Sequence, residues 1–457
     1  MYILTNGRLI TRDPDARGYY EKGAVVYEGS KIVEAGEEAA LTAKYPQAEK
    51  IDAKGGVIMP ALINAHTHIY SALARGLSIV GNNPTNFLEV LEGTWWAIDR
   101  HLTLEGTRAS ADALYIDCIK QGVTTVFDHH ASYCQIPGSL FQIGESAKKF
   151  GIRSCLCYEV SDRDGEEKCL EAIRENADWI TYCREHNDPM LAAMFGGHAL
   201  FTISDKTFDR MVEANNGRTG YHIHVSEGMN DVYDSLQNYG RRPVQRLQDH
   251  GILGEKTILG HCIHVNTAEM ELIRETGTMV VNNPESNMGN AIGICPVLQL
   301  YKRGILLGMG TDAYTNDMLE SLKVALCSQR SQNCLPNVGW CEVTDMLFKN
   351  NAKIGEKYFP DTLGVLKAGA AADIIVMDYK PFTPFSDENI DGHMIFGMTG
   401  RQCQTTIAAG KLLMKDRELI GIDEEAENAH ILEASRKLWG TLNHREYSAA
   451  AETNIRR

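Results

Sequence analysis

Two histidines suited to binding one metal ion close an apolar segment near the start of the chain. The segment GGVIMPALINAHTHIY ends in His66 and His68, separated by one residue. Alternate residues of an extended strand point to the same face, so both imidazoles can reach one ion. Taken alone, the pattern fits a pair of core or surface histidines at least as well.

Later apolar segments end in residues of the same chemical kind. They are His222, His224 and Glu227 in GYHIHVSEG, His261 and His264 in TILGHCIHV, and Asp312 in ILLGMGTDAYTND. About 156 residues separate His68 from His224, or about 39 for each βα unit if four units intervene. About 51 residues separate His261 from Asp312, which fits two shorter units. These residues would then close strands 1, 5, 6 and 8 of a barrel.

The elements that must position these side chains alternate between strands and helices. From about residue 58 to about residue 366, strand-like segments such as VTTVFDHH, RSCLCYEV and MLAAMFGG alternate with helical patterns such as AEMELIRETG. Eight units of about 38 residues match the usual size of a TIM barrel. We therefore predict an α/β fold with a (β/α)8 TIM-type barrel, in which functional side chains lie at the carboxyl ends of the strands.

Short β-rich stretches flank the barrel on both sides. TNGRLIT and GAVVYEGSKIVEAG precede it, and AADIIVMDYKPF and QTTIAAGKLLMKDRELIG follow it. We predict that they pair into one small β-sandwich domain. The predicted organisation is residues 1–57 for the N-terminal half of the β-sandwich, 58–366 for the barrel, 367–422 for the C-terminal half of the β-sandwich, and 423–457 for a C-terminal helix and tail.

Composition excludes several classes of function. The chain has 457 residues, with 45 Lys and Arg against 60 Asp and Glu, so its net charge of −15 leaves no basic surface for nucleic acid or acidic lipid. No apolar run approaches the length of a membrane helix, and MYILTNGRLITRDPDARG lacks the features of a signal peptide. The 12 cysteines form no C-x-x-C pair. We expect a cytoplasmic protein with reduced cysteines.

Seven motifs, in order across nearly the whole chain, carry a family resemblance. They are PALINAHTHIYSALARGL, QGVTTVFD, HIHVSEG, LGHCIHV, NNPESN, GMGTDAYTND and LGVLKAGAAADIIVMD. The chain resembles the amidohydrolase superfamily, in particular its cytosine-deaminase-like branch of aminohydrolases and chlorohydrolases acting on nitrogen heterocycles. Within that branch it resembles the SsnA aminohydrolase subgroup.

The resemblance implies a metal centre. Its motifs match His66, His68 and His224 as metal ligands and Asp312 as a further ligand that also handles protons. His261 would hydrogen-bond the water on the metal. A divalent ion held by neutral imidazoles keeps its charge and lowers the pKa of a bound water from 15.7 toward about 7.

The expected number of ions is one. Binuclear members of the superfamily need a bridging carboxylated lysine near the end of strand 4, and MLAAMFGGHALFTIS contains no lysine. Zn²⁺ is the expected ion because it suits imidazole-rich sites, with Fe²⁺ as the alternative.

The resemblance also implies which residues contact the substrate. Glu227 matches the family's H-x-x-E glutamate, which shuttles a proton to a ring nitrogen, and His198 in GGHALFTIS matches a substrate contact at the end of strand 4. Asp99 stands where some relatives have glutamate. Trp96 is suited to stacking on a planar ring, although Leu88, Leu91, Trp95 and Ile98 fall at helical spacing typical of a packed face.

Other histidines have plainer interpretations. For His222, a core or supporting role is expected rather than metal binding. His264 is expected to bond to backbone. His129 and His130 follow Asp128 at another strand end and can face the site.

These residues indicate a mononuclear metal-dependent hydrolase acting on carbon–nitrogen bonds other than peptide bonds. The expected reaction is deamination of a purine, pyrimidine, pterin or triazine, with Glu227 and Asp312 as the two proton-transfer groups. Hydrolytic opening of a cyclic amide is the alternative reaction, and a non-catalytic barrel that binds a heterocycle is the alternative from another class. We expect a small heterocyclic substrate, no nucleic acid or membrane partner, and a homodimer formed through helices.

Overall fold

The computed structural model describes residues 1–445 and residue 447. Its strands are β1 (Tyr2–Ile10), β2 (Tyr19–Glu28), β3 (Lys31–Glu37), β4 (Glu49–Asp52), β5 (Val57–Pro60), β6 (Leu62–Thr67), β7 (Val123–His130), β8 (Arg153–Tyr158), β9 (Leu191–Ala193), β10 (Phe195–Ala199), β11 (Tyr221–Val225), β12 (Ile258–His261), β13 (Met279–Asn282), β14 (Leu307–Met309), β15 (Ile374–Met377), β16 (Cys403–Ala408), β17 (Lys411–Lys415) and β18 (Glu418–Leu419).

Helices connect most of these strands. They are α1 (Glu38–Lys44), α2 (Phe87–Val90), α3 (Trp96–Asp99), α4 (Leu104–Gln121), α5 (Ser139–Phe150), α6 (Glu166–His186), α7 (Asp205–Asn215), α8 (Met229–Tyr239), α9 (Pro243–Asp249), α10 (Thr267–Thr276), α11 (Pro284–Gly289), α12 (Val297–Lys302), α13 (Met318–Asn333), α14 (Trp340–Asp345), α15 (Asn351–Gly355), α16 (Ile390–Gly397) and α17 (Glu424–Asn443). Within the described residues, no helix is both long enough and apolar enough to span a membrane.

Parallel strands β6 to β14 form the predicted barrel. One sheet has the order β6-β7-β8-β9 and the other has the order β10-β11-β12-β13-β14. Only Met194 separates β9 from β10, so the two are halves of one strand. Bridges between Val160 and Gly197 and between Thr67 and Asp312 join the sheets at both seams. The (β/α)8 fold is confirmed, with every residue of β7 and β8 buried as expected for strands covered on both faces.

The last barrel strand approaches the first very closely. The backbone nitrogens of Thr311 and Asp312 both donate to the carbonyl of His66, at 2.9 and 3.0 Å. A Cβ atom at Gly310 would lie 2.7 Å from that same carbonyl oxygen. Glycine is therefore required at position 310 for β14 to bring Asp312 beside His66.

Strands from both chain ends form the small β domain. Their sheet has the order β18-β17-β16-β15-β5-β1-β2-β3, with β4 added beside β1. Leu4 and Val25 from the N-terminal half share an apolar core with Ile374 and Ile407 from the C-terminal half. Strand β5 carries the sheet past residue 57, where the N-terminal half was predicted to end. The tail predicted to follow α17 lies mostly outside the described residues.

A helical excursion after β6 covers the mouth of the barrel. Asn86 begins α2 by accepting a hydrogen bond from the Glu89 backbone nitrogen at 3.1 Å. A π-helical turn, Leu91–Trp95, then connects α2 to α3. The excursion brings Phe87, Trp95 and Trp96 to the cavity above the strand ends.

Candidate metal and active site

Strand geometry brings the predicted metal ligands together at the carboxyl end of the barrel. His66 lies on β6, His68 directly follows it, and His224 lies on β11. Ring nitrogens of these three histidines lie within 4.8 Å of one another, and all three side chains are buried. The Oδ1 atom of Asp312, after β14, lies 2.9 Å from Nε2 of His68 and 3.9 Å from Nε2 of His66.

Hydrogen bonds from outside the cluster fix which nitrogen of each ring faces the cluster. Nδ1 of His68 donates to the carbonyl of His129 at 2.5 Å, so its Nε2 atom faces the cluster. Nδ1 of His66 lies 2.8 Å from Nε2 of His222. His222 thus orients a predicted ligand from behind, as the carboxylates and carbonyls around metal-bound histidines do.

The donor set fits a divalent metal ion. Nε2 of His66 is buried and has no hydrogen-bond partner among the described residues, an arrangement that costs free energy unless a ligand completes it. Burial also lowers the pKa of His66 and His224 well below the ordinary value, so both imidazoles are neutral, the form that binds metals. His66, His68, His224 and Asp312 would hold the ion.

His261 and Asp312 have unusual backbone conformations. Their φ angles are 68° and 56°, in the left-handed region that residues other than glycine seldom adopt. Nδ1 of His261 donates to Oδ1 of Asn287 at 2.8 Å, so its Nε2 atom faces the site. Ser286 donates a short hydrogen bond to Oδ2 of Asp312. Helix α11 therefore supplies the two side chains that orient His261 and Asp312.

Glu227 and Asp312 differ in protonation. Burial, together with the charge of Asp312, raises the pKa of Glu227 well above its ordinary value. Burial opposes ionisation of Asp312 as well, but the hydrogen bond from His68 and the neighbouring His261 and Ser286 lower its pKa to about 2. Glu227 Oε2 lies 3.6 Å from Nε2 of His261. The surroundings therefore favour the protonated form of Glu227 and the ionised form of Asp312, the forms that a proton donor and a proton acceptor need.

Three residues predicted to contact substrate have different surroundings. His198 and Trp96 line the cavity with their ring centroids 5.8 Å apart. The Asp99 side chain is fully buried and forms an ion pair with Arg163, whose guanidinium packs on the ring of Trp96 at 5.0 Å. Burial raises the pKa of Asp99 to about 7 despite Arg163. In this structure Asp99 supports the cavity wall from behind.

Sequence reasoning did not single out Glu159, which the structure brings into the cavity. Glu159 directly follows β8 and is 2 % exposed. Its Oε2 atom lies 3.3 Å from Nδ1 of His129, and its Oε1 atom lies 3.4 Å from Nε2 of His198. The signal was present, because Glu159 closes the apolar segment RSCLCYEV.

The remaining histidines support the site or lie outside it. Nε2 of His129 faces the carbonyls of Gly197 and His222 at 2.9 and 3.0 Å. His130 bonds to the hydroxyl of Ser132 at 3.0 Å. His264 reaches the carbonyl of Ile292 at 2.8 Å, the backbone contact expected from the sequence.

Comparison with known proteins identifies similarities over nearly the whole chain. The model of the amidohydrolase family matches residues 57–413, and that of an imidazolonepropionase-like composite domain of bacteria matches residues 23–48. The chain is 30% identical over 453 residues to a 5'-deoxyadenosine deaminase of Methanosarcina mazei, covering 96% of this chain and 99% of the relative. It is 31% identical to a 5-methylthioadenosine/S-adenosylhomocysteine deaminase of Thermococcus sibiricus, with 86% and 90% coverage.

Solved structures share the fold at low sequence identity. An adenosine deaminase from Xanthomonas campestris with bound zinc superposes with a TM-score of 0.84 at 22% identity, covering 96% of this chain and 98% of the other. A zinc complex of atrazine chlorohydrolase from Arthrobacter aurescens has a TM-score of 0.78 at 23% identity, with 95% and 100% coverage.

Proposed function

The chain belongs to the amidohydrolase family, and from that premise we propose that it deaminates a nitrogen heterocycle with the help of one Zn²⁺ ion. It is a metal-dependent hydrolase of carbon–nitrogen bonds other than peptide bonds. The observation that carries the proposal is the convergence of His66, His68, His224, His261 and Asp312 beside Glu227 at the carboxyl end of the barrel. Fe²⁺ is the alternative ion.

His66, His68, His224 and Asp312 would hold the ion. When bound, a divalent cation supplies a Lewis acid that makes water a competent nucleophile at neutral pH. Zinc in the adenosine deaminase and chlorohydrolase structures supports the choice of metal. The absence of lysine from MLAAMFGGHALFTIS supports a single ion.

The side chains divide the proton transfers between them. Asp312 is ionised and accepts the proton of the attacking water, while His261 orients that water through its Nε2 atom. Glu227 is protonated and donates to the ring nitrogen next to the attacked carbon. Asp312 then returns that proton to the amino group, which leaves as ammonia, and the proton of the added hydroxyl restores Glu227 as the C=O bond forms.

A heterocycle fits the walls of the cavity. Trp96 offers an aromatic face, and Tyr70, Phe87 and Leu91 are apolar neighbours of the same cavity. The relatives are named for deamination of adenosine derivatives, which makes purines the first substrates to test. A purely binding barrel would have no use for the metal ligands together with the proton-transfer groups Glu227 and Asp312.

Product mass separates deamination from ring opening. Replacing NH by O on an intact ring adds about one dalton, whereas hydrolytic opening of a cyclic amide adds about eighteen and retains all nitrogen. We expect a gain of about one dalton together with free ammonia when metal-replete protein is incubated with purines, pyrimidines, pterins and triazines. A gain of eighteen daltons without ammonia would refute deamination and establish the cyclic-amide reaction.

Two further expectations concern the state of the protein. We infer a homodimer, supported by Met229, Tyr233 and Leu236, which are exposed on one face of α8. Leu236→Glu should shift the mass measured by light scattering from dimer to monomer. We also infer a cytoplasmic location, supported by the 12 free cysteines. Recovery of the protein in an oxidising compartment by cell fractionation would contradict it.

A further inference from the structure

We propose that Glu159 and His198 form a pair of hydrogen-bond acceptors that selects a cyclic guanidine as the substrate. In such a ring the attacked carbon carries the amino group and lies between a ring nitrogen without hydrogen and a ring N–H. Guanine, isocytosine and pterin have this arrangement, whereas adenine and cytosine do not. The inference rests on the proposed deamination and names the substrate class of the same site.

Hydrogen bonding identifies His198 as an acceptor toward the cavity. Its Nδ1 atom lies 2.7 Å from the hydroxyl oxygen of Thr202, and that hydroxyl donates its own proton to the carbonyl of Ala199 at 2.9 Å. The hydroxyl proton is used, so Nδ1 of His198 must be the donor. Its Nε2 atom therefore carries a lone pair, aimed at the cavity and 3.4 Å from Oε1 of Glu159.

His129 lies beside one oxygen of Glu159 and His198 lies beside the other. Nε2 of His129 faces two backbone carbonyls, and its Nδ1 atom faces Oε2 of Glu159 at 3.3 Å. Beside Oε1, at 3.4 Å, lies the lone pair of His198 Nε2. Two buried acceptors in contact are unfavourable until a donor reaches both. An N–H group of the substrate is such a donor.

The position of this pair fixes which part of the substrate it touches. Ligand atoms of Glu159, His198 and His224 lie within 4.8 Å of one another, and so do those of Glu159, His68 and His129. The acceptor pair therefore adjoins the predicted metal ligands, where the attacked carbon must lie.

Glu159 and Glu227 approach the substrate ring from different strands. Glu159 follows the third barrel strand, whereas Glu227 follows the fifth and lies beside His261. Glu227 donates a proton to one ring nitrogen next to the attacked carbon, and Glu159 accepts a hydrogen bond from the other. Overall, water adds, the C–NH2 bond breaks, and C(NH2)=N becomes C(=O)–NH with release of ammonia.

Isocytosine and cytosine provide a matched test. They are isomers that both yield uracil and ammonia, but only isocytosine has its amino-bearing carbon next to a ring N–H. We expect kcat/KM for isocytosine to exceed that for cytosine by about 100-fold or more, because a site with buried polar groups rejects a ring that leaves them unpaired. For the same reason, kcat/KM for guanine should exceed kcat/KM for adenine.

Variants connect that preference to the two acceptors. Glu159→Gln should reduce the isocytosine preference at least tenfold, chiefly through KM, because a neutral amide is a weaker acceptor than a carboxylate. Glu175→Gln, which alters a buried carboxylate on α6, is the control and should keep the full preference. If Glu159→Gln fails to fold, Thr202→Val tests the same pair by releasing the His198 tautomer.

Binding measurements separate this inference from the proposed reaction. Glu227→Gln protein should bind isocytosine more tightly than cytosine in calorimetry, and adding Glu159→Gln should remove the difference. If this difference in affinity is found but the wild-type protein releases ammonia from none of the heterocycles, deamination is refuted and the acceptor pair is supported. Equal affinities, or an equal loss for both rings in Glu159→Gln, would overturn the inference. Two metal ions per wild-type chain and one in Glu159→Gln would also overturn it, by making Glu159 a metal ligand.

Discussion

The unpartnered Nε2 atom of His66 makes metal content a direct measure of the proposed site. His66→Ala and His224→Ala each remove a predicted donor atom, so both variants should lose the ion and the activity together. His250→Ala is the control, since His250 pairs with Asp209 outside the site. Elemental analysis should give about one ion in the wild type and in the control. Full metal content in His224→Ala would contradict the ligand assignment.

Glu227 should affect turnover without affecting the metal. Glutamine keeps the shape and a hydrogen bond but cannot donate the carboxyl proton, and general acid–base catalysis is typically worth about 10²–10⁴-fold. We therefore expect Glu227→Gln to lower kcat by at least about 100-fold at unchanged metal content. A variant within a few-fold of the wild type would remove Glu227 from the mechanism.

Sequence reasoning reaches these residues because barrel strands end in functional side chains. That rule led to His66, His68, His224, Glu227, His261 and Asp312, which the structure brings to one end of the barrel. The same rule applied to RSCLCYEV would have included Glu159. The sequence could not predict which ring nitrogen of each histidine carries the proton. Thr202 determines this for His198, and Asn287 determines it for His261, only after the chain has folded.

At the scale of elements, α5 begins without a side-chain cap of its own, and Glu175 on α6 supplies one. Its two oxygens accept from the backbone nitrogens of Gly138 and Leu140 at 2.8 and 2.9 Å. Burial nevertheless raises the pKa of Glu175 from 4.5 to about 6. The folded protein thus holds a proton on Glu175 more tightly than the unfolded chain does.

That pKa makes the cap depend on pH. The stabilisation from the protonated form is complete below the unfolded pKa of 4.5 and is lost as pH rises through the folded value of about 6. Between pH 4 and pH 7 the wild type should lose about 2 kcal/mol of unfolding free energy relative to Glu175→Gln. Urea denaturation of both proteins across that range measures the difference. Parallel pH profiles would show that the Glu175 carboxyl is not perturbed.

The ion pair of Arg163 and Asp99 attaches α3 to the loop after β8. Arg163→Met would leave Asp99 buried without its partner, and breaking a buried pair in this way typically costs about 3–5 kcal/mol. Asp99→Asn added to Arg163→Met should recover part of that loss, because the uncompensated charge is then gone. Equal stability of the single and double variants in urea denaturation would contradict this account.

The spacing of apolar residues in the sequence predicts part of the helical excursion after β6. The helical spacing of Leu88, Leu91, Trp95 and Ile98 predicts a helix, and the structure has α2 and α3 there with a π-helical turn between them. The turn changes which side chains face inward, so both Trp95 and Trp96 line the cavity. A single 3.6-residue period cannot describe such a change.

At the scale of the whole molecule, Arg153 joins the barrel to the β domain. It begins β8, is fully buried, and forms ion pairs with Asp373, directly before β15, and with Asp361, farther before it. Arg153→Met should destabilise the protein by about 3–5 kcal/mol, because Asp373 remains buried. Metal content should not change, since Arg153 lies at the amino end of its strand and the site lies at the carboxyl end.

Lys31 provides the control for that prediction. It also pairs with Asp361, at 2.6 Å, but 45% of its side chain is exposed. Lys31→Met should therefore cost no more than about 1 kcal/mol in thermal or urea unfolding. Equal losses in the two variants would mean that Arg153 contributes no more than a surface ion pair.

The seam where Asp312 meets His66 should also set the timing of metal loading at the proposed site during synthesis. His66 leaves the ribosome early, but the proposed ligand set is complete only when Asp312 has emerged and its backbone has bonded to the carbonyl of His66. At about 5–20 residues per second, the intervening 246 residues take roughly 12–50 seconds to translate. A nascent chain stalled before residue 312 should therefore hold the ion weakly, and stable capture should be a late cotranslational event.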